Sequence, residues 1–213
     1  MFGLRIRYLS FFFGLIAILS FFNVVYSYYL NLYLNLNTYY ISLILSLFVA
    51  LVFYRFEIKK NKISIFEKIL TVFFGYITIP IILSLPFYFS IYNLSFLNSF
   101  FEAISGFTST GFTIFENIKH IDQSLILWRS STQWIGGLYF LFFLVLIFSN
   151  KQFNYKMSDL TYSGDGSINS ESNIKNLLLK IFILYSILSF IIFLLLNLSE
   201  VRMFNSLNLS MTL

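Results

Sequence analysis

No cysteine occurs in the 213 residues, histidine occurs once, and Asp, Glu, Lys and Arg together make only 11% of the chain. The first absence removes disulfide frameworks, thiolate metal sites and thiol nucleophiles together. No nucleophile stands with a positioned base, no glycine-rich segment has the spacing of a phosphate cradle, and no carboxylates pair at catalytic spacing, so the chain does not read as an enzyme and calls for no covalent cofactor. The single histidine, His120, shares a loop with Glu116 and Asp122, a trio that suits a solvated loop better than a metal cluster. Proline occurs only at positions 80 and 86, both inside one apolar run, where each removes a backbone donor and is expected to kink or end a helix.

Apolar residues fill the space that charge leaves. They make up 58% of the chain, with 29 Phe and 15 Tyr, more than one soluble core of this length can enclose. Residues 8 to 54 carry no Lys, Arg, Asp or Glu. As one helix that run would extend roughly 70 Å, over twice a hydrocarbon core of about 30 Å, so it must fold back. Asn31, Asn35 and Asn37 mark the turn, leaving spans over Tyr8 to Leu30 and Thr38 to Tyr54. Three further spans are expected over Ile69 to Ile91, Leu125 to Ser149 and Leu177 to Leu198. The fold class is therefore an all-α polytopic membrane protein embedded in a lipid bilayer. Arg5 and Arg7 precede the first run as in a signal peptide, but the run is long and no A-x-A-like cleavage site follows, so it reads as a retained span.

Phe96 to Ser105 is apolar enough to enter a membrane and too short, at about 15 Å, to cross it. It is expected to re-enter, with Asn98, Ser99, Glu102 and Ser105 on one face and Phe100, Phe101 and Ile104 on the other. The segment FEAISGFTSTGFT, Phe101 to Thr113, then forms a polar turn between apolar runs, and irregular backbone at such depth is tolerated only around a cavity or an ion path. A Thr/Gly turn at the end of a short helix can aim carbonyl oxygens at a dehydrating cation. Thr108, Ser109, Thr110, Gly111 and Phe112 are the candidate ligands through their backbone carbonyls, with Gly111 free to take the positive φ that turns successive carbonyls to one axis.

Glu102, Arg129 and Gln133 are candidate supports. Two readings fit Glu102: a carboxylate that attracts cations or braces the loop, or one that accepts nearby backbone donors. Two also fit Arg129, which lies between Trp128 and Trp134: a snorkelling cation, or a tie to loop carbonyls with Gln133 one turn on as a second donor. Gly136 and Gly137 suit a close helix contact better than a hinge.

The net charge of +5 sits at the ends of apolar runs, where topology accounts for it without nucleic acid. With a cytoplasmic N-terminus and a re-entrant short helix, Arg5, Arg7, Arg55, Lys59, Lys60, Lys62, Lys68, Lys151, Lys156, Lys175 and Lys180 fall inside, which is 11 of the 14 basic residues. Lys119, Arg129 and Arg202 fall outside. Lys151 to Lys175 reads as a cytoplasmic connector. One constant offset pairs Asn98-Ser99 with Asn205-Ser206 and Lys68 with Lys175, superposing span and short helix on the second half of the chain. The expected organisation is two leading helices over residues 1–63, a helix, loop and helix unit over 64–150, the connector over 151–176, and the start of a second unit over 177–213.

SFFEAISGFTSTGFT followed by LILWRSSTQWIGG resembles the first pore unit of Trk-type potassium uptake proteins, of the TrkH/Ktr/HKT superfamily. The basic stretch Arg55 to Lys62, the Leu85-Pro86 pair and the final FNSLNLSMTL also fall where that family has counterparts. The resemblance implies four fused units around a K+ filter behind two leading helices, a pair that Ktr-type relatives usually lack. It reads this chain as an N-terminal fragment with about one and a half of those units. It also implies a homodimer in the bacterial inner membrane, gated by a cytoplasmic nucleotide-binding subunit. Na+ or mixed Na+/K+ transport remains open, as does a non-conducting assembly or sensor protein. Where Tyr139 stands the family often has another glycine, which puts the packing of that helix in question.

Overall fold

A computed structural model describes residues 6–56, 65–116, 121–148 and 171–212. Lys59, Lys60, Lys62, Lys119, His120 and the connector from Lys151 to residue 170 lie outside the described residues. After a single 3-10 turn at Ile6–Tyr8, the chain forms α1 (Leu9–Tyr29), α2 (Leu36–Arg55), α3 (Ile65–Leu83), α4 (Leu85–Tyr88), α5 (Phe96–Phe107), α6 (Gln123–Phe148), α7 (Glu171–Leu198) and α8 (Met203–Thr212). Leu9–Tyr29, Leu36–Arg55, Phe66–Tyr88 and Asn176–Leu198 are each long and apolar enough to cross a membrane.

Large apolar side chains lie outside as well as in the core, and polar ones line part of the α1–α2 seam. Ile18, Phe21, Ile44, Phe48 and Leu51 are exposed, while Ser20, Asn23, Ser27, Ser42 and Ser46 are buried between α1 and α2. Lipid is as apolar as these large side chains, so burying them gains little, whereas small residues let two helices approach closely. Ser20 and Ser42 share a hydrogen bond of 3.1 Å across that seam. Asn31 turns the hairpin at φ 55. The amide of Leu32 donates to Ser27 O at 2.8 Å and that of Asn31 to Tyr28 O at 3.3 Å, a Schellman closure of α1 with asparagine in the left-handed position.

The expected third span is two helices that run on from each other at Ser84. Pro80 lies inside α3 without ending it. α3 gives way to α4 at Ser84, and Pro86 is the second residue of α4, a first-turn position where proline is tolerated.

α6 runs antiparallel to α3. Lys68 Nζ donates to Leu146 O at 3.3 Å, Tyr139 Oη to Val72 O at 2.9 Å and Trp128 Nε1 to Leu83 O at 3.0 Å, so residue numbers rise along one helix as they fall along the other. The chain between them must therefore leave and return at the same end. Asp122 N donates to Tyr92 Oη at 2.8 Å, pinning the two ends of that excursion together. Asn35 at the start of α2 braces the same point, donating to Asp122 Oδ2 at 3.0 Å and accepting from Ile91 N at 3.1 Å. Asp122 thus belongs to a structural junction, and no metal-binding group of acidic or histidine residues occurs among the described residues.

Tyr139, the position of doubt, is fully buried and packs over Gly75 of α3. A Cβ at Gly75 would lie 1.9 Å from the Tyr139 hydroxyl oxygen. Space surrendered on α6 is recovered on α3, and the close approach is kept. Gly75→Ala is expected to lower stability by about 1–3 kcal/mol through overpacking. In thermal unfolding of the detergent-solubilised protein, Gly75→Ala combined with Tyr139→Phe should cost less than the sum of the single changes. Simple additivity would show that the two residues do not compete for one space.

Candidate functional site

α5 is amphipathic in the expected sense. Ser99, Glu102 and Ser105 are buried and Phe96, Leu97 and Phe101 exposed, while Asn98, expected on the polar face, is exposed. Ser95 caps the helix, its hydroxyl accepting from Asn98 N at 3.3 Å. Its 12 residues extend about 18 Å, two residues beyond the expected end and still short of a crossing.

The loop begins as the helix closure. Thr108 N donates to Ile104 O at 2.8 Å, Ser109 N to Gly106 O at 2.9 Å and Thr110 N to Ser105 O at 3.0 Å. This is a second Schellman closure, with Ser109 held at φ 54 where glycine is the usual occupant. Gly111 follows at φ 78, the left-handed conformation expected of it. Residues 108–112 are all exposed on the surface of this chain.

A buried ion pair holds the returning strand. Glu102 has no exposure, and its Oε1 accepts from Arg129 Nε at 2.6 Å. The same carboxylate accepts from Thr113 Oγ1 at 3.1 Å and from Ile114 N at 3.1 Å. Both readings of Glu102 meet here: it takes a backbone donor and it braces the loop. Arg129 is a tie, with Nη2 donating to Gly111 O at 3.2 Å and Phe112 O at 3.4 Å. Ser105 Oγ donates to Phe112 O at 2.6 Å.

The five candidate ligands therefore separate. Phe112 departs from expectation, because its carbonyl is turned into the protein and taken by two donors. Gly111 keeps one lone pair beyond its bond to Arg129. Among the described residues no donor reaches the carbonyls of Thr108, Ser109 or Thr110. Gln133 departs as well. Its Nε2 reaches Thr212 O at 3.2 Å, the end of α8, and not the loop around Gly111.

Glycines set how close the elements come. A Cβ on Gly136 would lie 1.8 Å from Phe107 O, and one on Gly106 would lie 2.2 Å from Thr132 Oγ1, so α5 ends directly on the backbone of α6. Gly137 faces Tyr185 of α7, where a Cβ would meet the hydroxyl oxygen at 2.6 Å. Both glycines are close contacts. The sequence offered no sign of Ser105 as a clip or of Asn35 as a brace, since each acts on a residue placed by folding.

Apolar helices long enough to cross a bilayer, with a short helix and a braced polar loop set among them, define a multi-pass membrane protein. Residues 36–207 match the family model TrkH, described as a cation transport protein, and the chain belongs to that family. It is 28% identical over 207 residues to an uncharacterised cation transporter of Methanocaldococcus jannaschii, covering 93% of this chain and 42% of that one. It is 39% identical over 64 residues to the Trk system potassium uptake protein TrkI of Halomonas elongata, covering 30% of this chain and 13% of the relative. Over 46 residues it is 37% identical to TrkG of Escherichia coli, also a Trk system potassium uptake protein, covering 22% and 10%. The chain thus spans less than half the length of each of these relatives.

Glu102→Gln is expected to cost about 3 kcal/mol, the low end for breaking a buried pair because the Arg129 side chain is 19% exposed. Glu102→Gln with Arg129→Gln should cost less than the two single changes summed, measured by thermal unfolding in detergent. Equal and additive losses would mean the two side chains act apart.

Proposed function

We propose that this chain supplies a pore-forming part of a potassium uptake transporter, with residues 108–112 as one segment of its selectivity filter. The carrying observation is the set of carbonyls at Thr108, Ser109 and Thr110, exposed and unclaimed at the carboxyl end of a short helix, beside a strand tied down by Glu102 and Arg129. Neutral carbonyls replace the hydration shell of K+ without holding the ion so tightly that it cannot leave. The negative end of the α5 dipole points the same way, which favours a cation there. Gly111 contributes its remaining lone pair and the turn, and Phe112 contributes chiefly the anchor.

A filter needs such segments around a common axis, and the resemblance to Trk-type proteins supports four. In this reading α5 and its loop are a pore loop, the N-terminus is cytoplasmic in a bacterial inner membrane, the transporter is a homodimer, and a cytoplasmic nucleotide-binding subunit gates it. The named potassium relatives support K+ over Na+ as the ion.

Gly111→Ala is the sharpest test. No atom lies within 4 Å of where its Cβ would stand, so packing is spared and only the left-handed backbone is strained. In the full-length transporter, K+ flux into proteoliposomes should fall at least tenfold while the unfolding temperature shifts by only a few degrees. Unchanged K+ flux would remove the loop from the ion path. Equal Na+ and K+ flux in the unaltered protein would support the mixed transporter instead.

A further inference from the structure

The start of α1, the end of α2 and the first turns of α7 come together at one end of the bundle, where they enclose an open groove of about 370 Å3. Its walls are almost wholly apolar, with Phe11 of α1, Tyr54 of α2, and Leu178 and Leu179 of α7. Deeper along the same seam Phe11 meets Phe182 edge-on, with ring centres 5.7 Å apart, which closes the groove toward the membrane interior. Its mouth lies at the level where the spans end.

Arg7 lines that mouth, and its Cζ stands 4.7 Å from the centre of the Tyr54 ring. The aromatic face orients the guanidinium, whose planar fork of N–H donors matches the oxygens of a phosphate. Ser10 adds no second donor, because its hydroxyl donates to Arg7 O at 2.7 Å. Arg55, next to Tyr54, and Lys180, next to Leu179, are exposed at the same end. Glu67 of α3 also belongs to this end, but no carboxylate lines the groove among the described residues. The field at the mouth is therefore positive.

We propose that this groove holds one anionic phospholipid, its phosphate on Arg7 and an acyl chain laid against Phe11, Leu178 and Leu179. The bilayer itself supplies the occupant: walls with so few polar atoms cannot hold ordered water, and a groove that opens on hydrocarbon fills with it. The guanidinium at its mouth turns a general solvent contact into a site. Arg55 and Lys180 favour a headgroup of net negative charge over a zwitterionic one. Bound there, the lipid ties α7 to the α1–α2 hairpin beside the Phe11–Phe182 contact. Its binding needs no assumption about the ion path.

The test is native mass spectrometry and thermal unfolding of the detergent-solubilised protein with phosphatidylglycerol or phosphatidylcholine added. Retention of about one phosphatidylglycerol per chain is expected, with the unfolding temperature raised by about 3 °C or more, and phosphatidylcholine is expected to do neither. Arg7→Gln should abolish both effects. Arg55→Gln makes the same charge change outside the groove and should leave both in place. Leu179→Trp fills the groove with Arg7 intact, and should also abolish retention. Equal effects of the two lipids, or equal losses in Arg7→Gln and Arg55→Gln, would overturn the proposal by marking diffuse attraction to a charged surface. Full retention in Arg7→Gln or in Leu179→Trp would overturn it as well. No retention by the unaltered protein would mean that other parts of the chain or a second copy cover the groove, and that too would overturn it. Should Arg7→Gln fail to insert, retention in Leu179→Trp decides in its place.

Discussion

The Glu102–Arg129 pair is the constraint on which the loop depends. A carboxylate withdrawn from water inside an apolar bundle is tolerable only when its charge is matched and its lone pairs are filled, and here a guanidinium, a threonine hydroxyl and a backbone amide do both. The pair spans α5 and α6, so it can close only when the two helices are docked. Once closed, it orients Arg129 so that a second nitrogen reaches Gly111 and Phe112. The strand after the turn is held through main-chain atoms, leaving the carbonyls before it free.

Close approach of backbone to backbone makes that docking possible. Gly136 accepts the end of α5 at a distance no side chain would permit, and Gly75 makes room for Tyr139 between α3 and α6. α6 packs on α1, α3, α5, α7 and α8, and its polar residues Arg129, Ser130 and Gln133 reach α5, its loop and α8. In lipid, where burying apolar surface gains little, such steric fit and interhelical hydrogen bonds carry the association. The same logic puts serines in part of the α1–α2 seam, next to the Phe13–Phe53 contact, and leaves Phe21 and Phe48 on the outside.

Among the described residues, three helix ends use a left-handed residue that is not glycine: Asn31, Ser109 and Glu200. Each is fixed by the hydrogen bonds of its closure, which satisfy amides and carbonyls that the helix end leaves over and so offset the local strain. At Ser109 this strain lies inside the candidate site, where a rigid turn serves better than a relaxed one.

The sequence by itself determined the all-helical membrane class, four of the five expected spans and the short helix, because a bilayer of fixed thickness ties run length to the helix that crosses it. Pattern also located the polar turn at Gly111, since it is written in residue type and spacing. Tertiary structure alone decided which carbonyls are free, that the Phe112 carbonyl turns inward, that Gln133 reaches α8 and that Gly75 compensates for Tyr139. Those outcomes depend on where a guanidinium or an amide from a distant part of the chain comes to rest. Spacing along a chain carries no measure of that distance until the helices are packed.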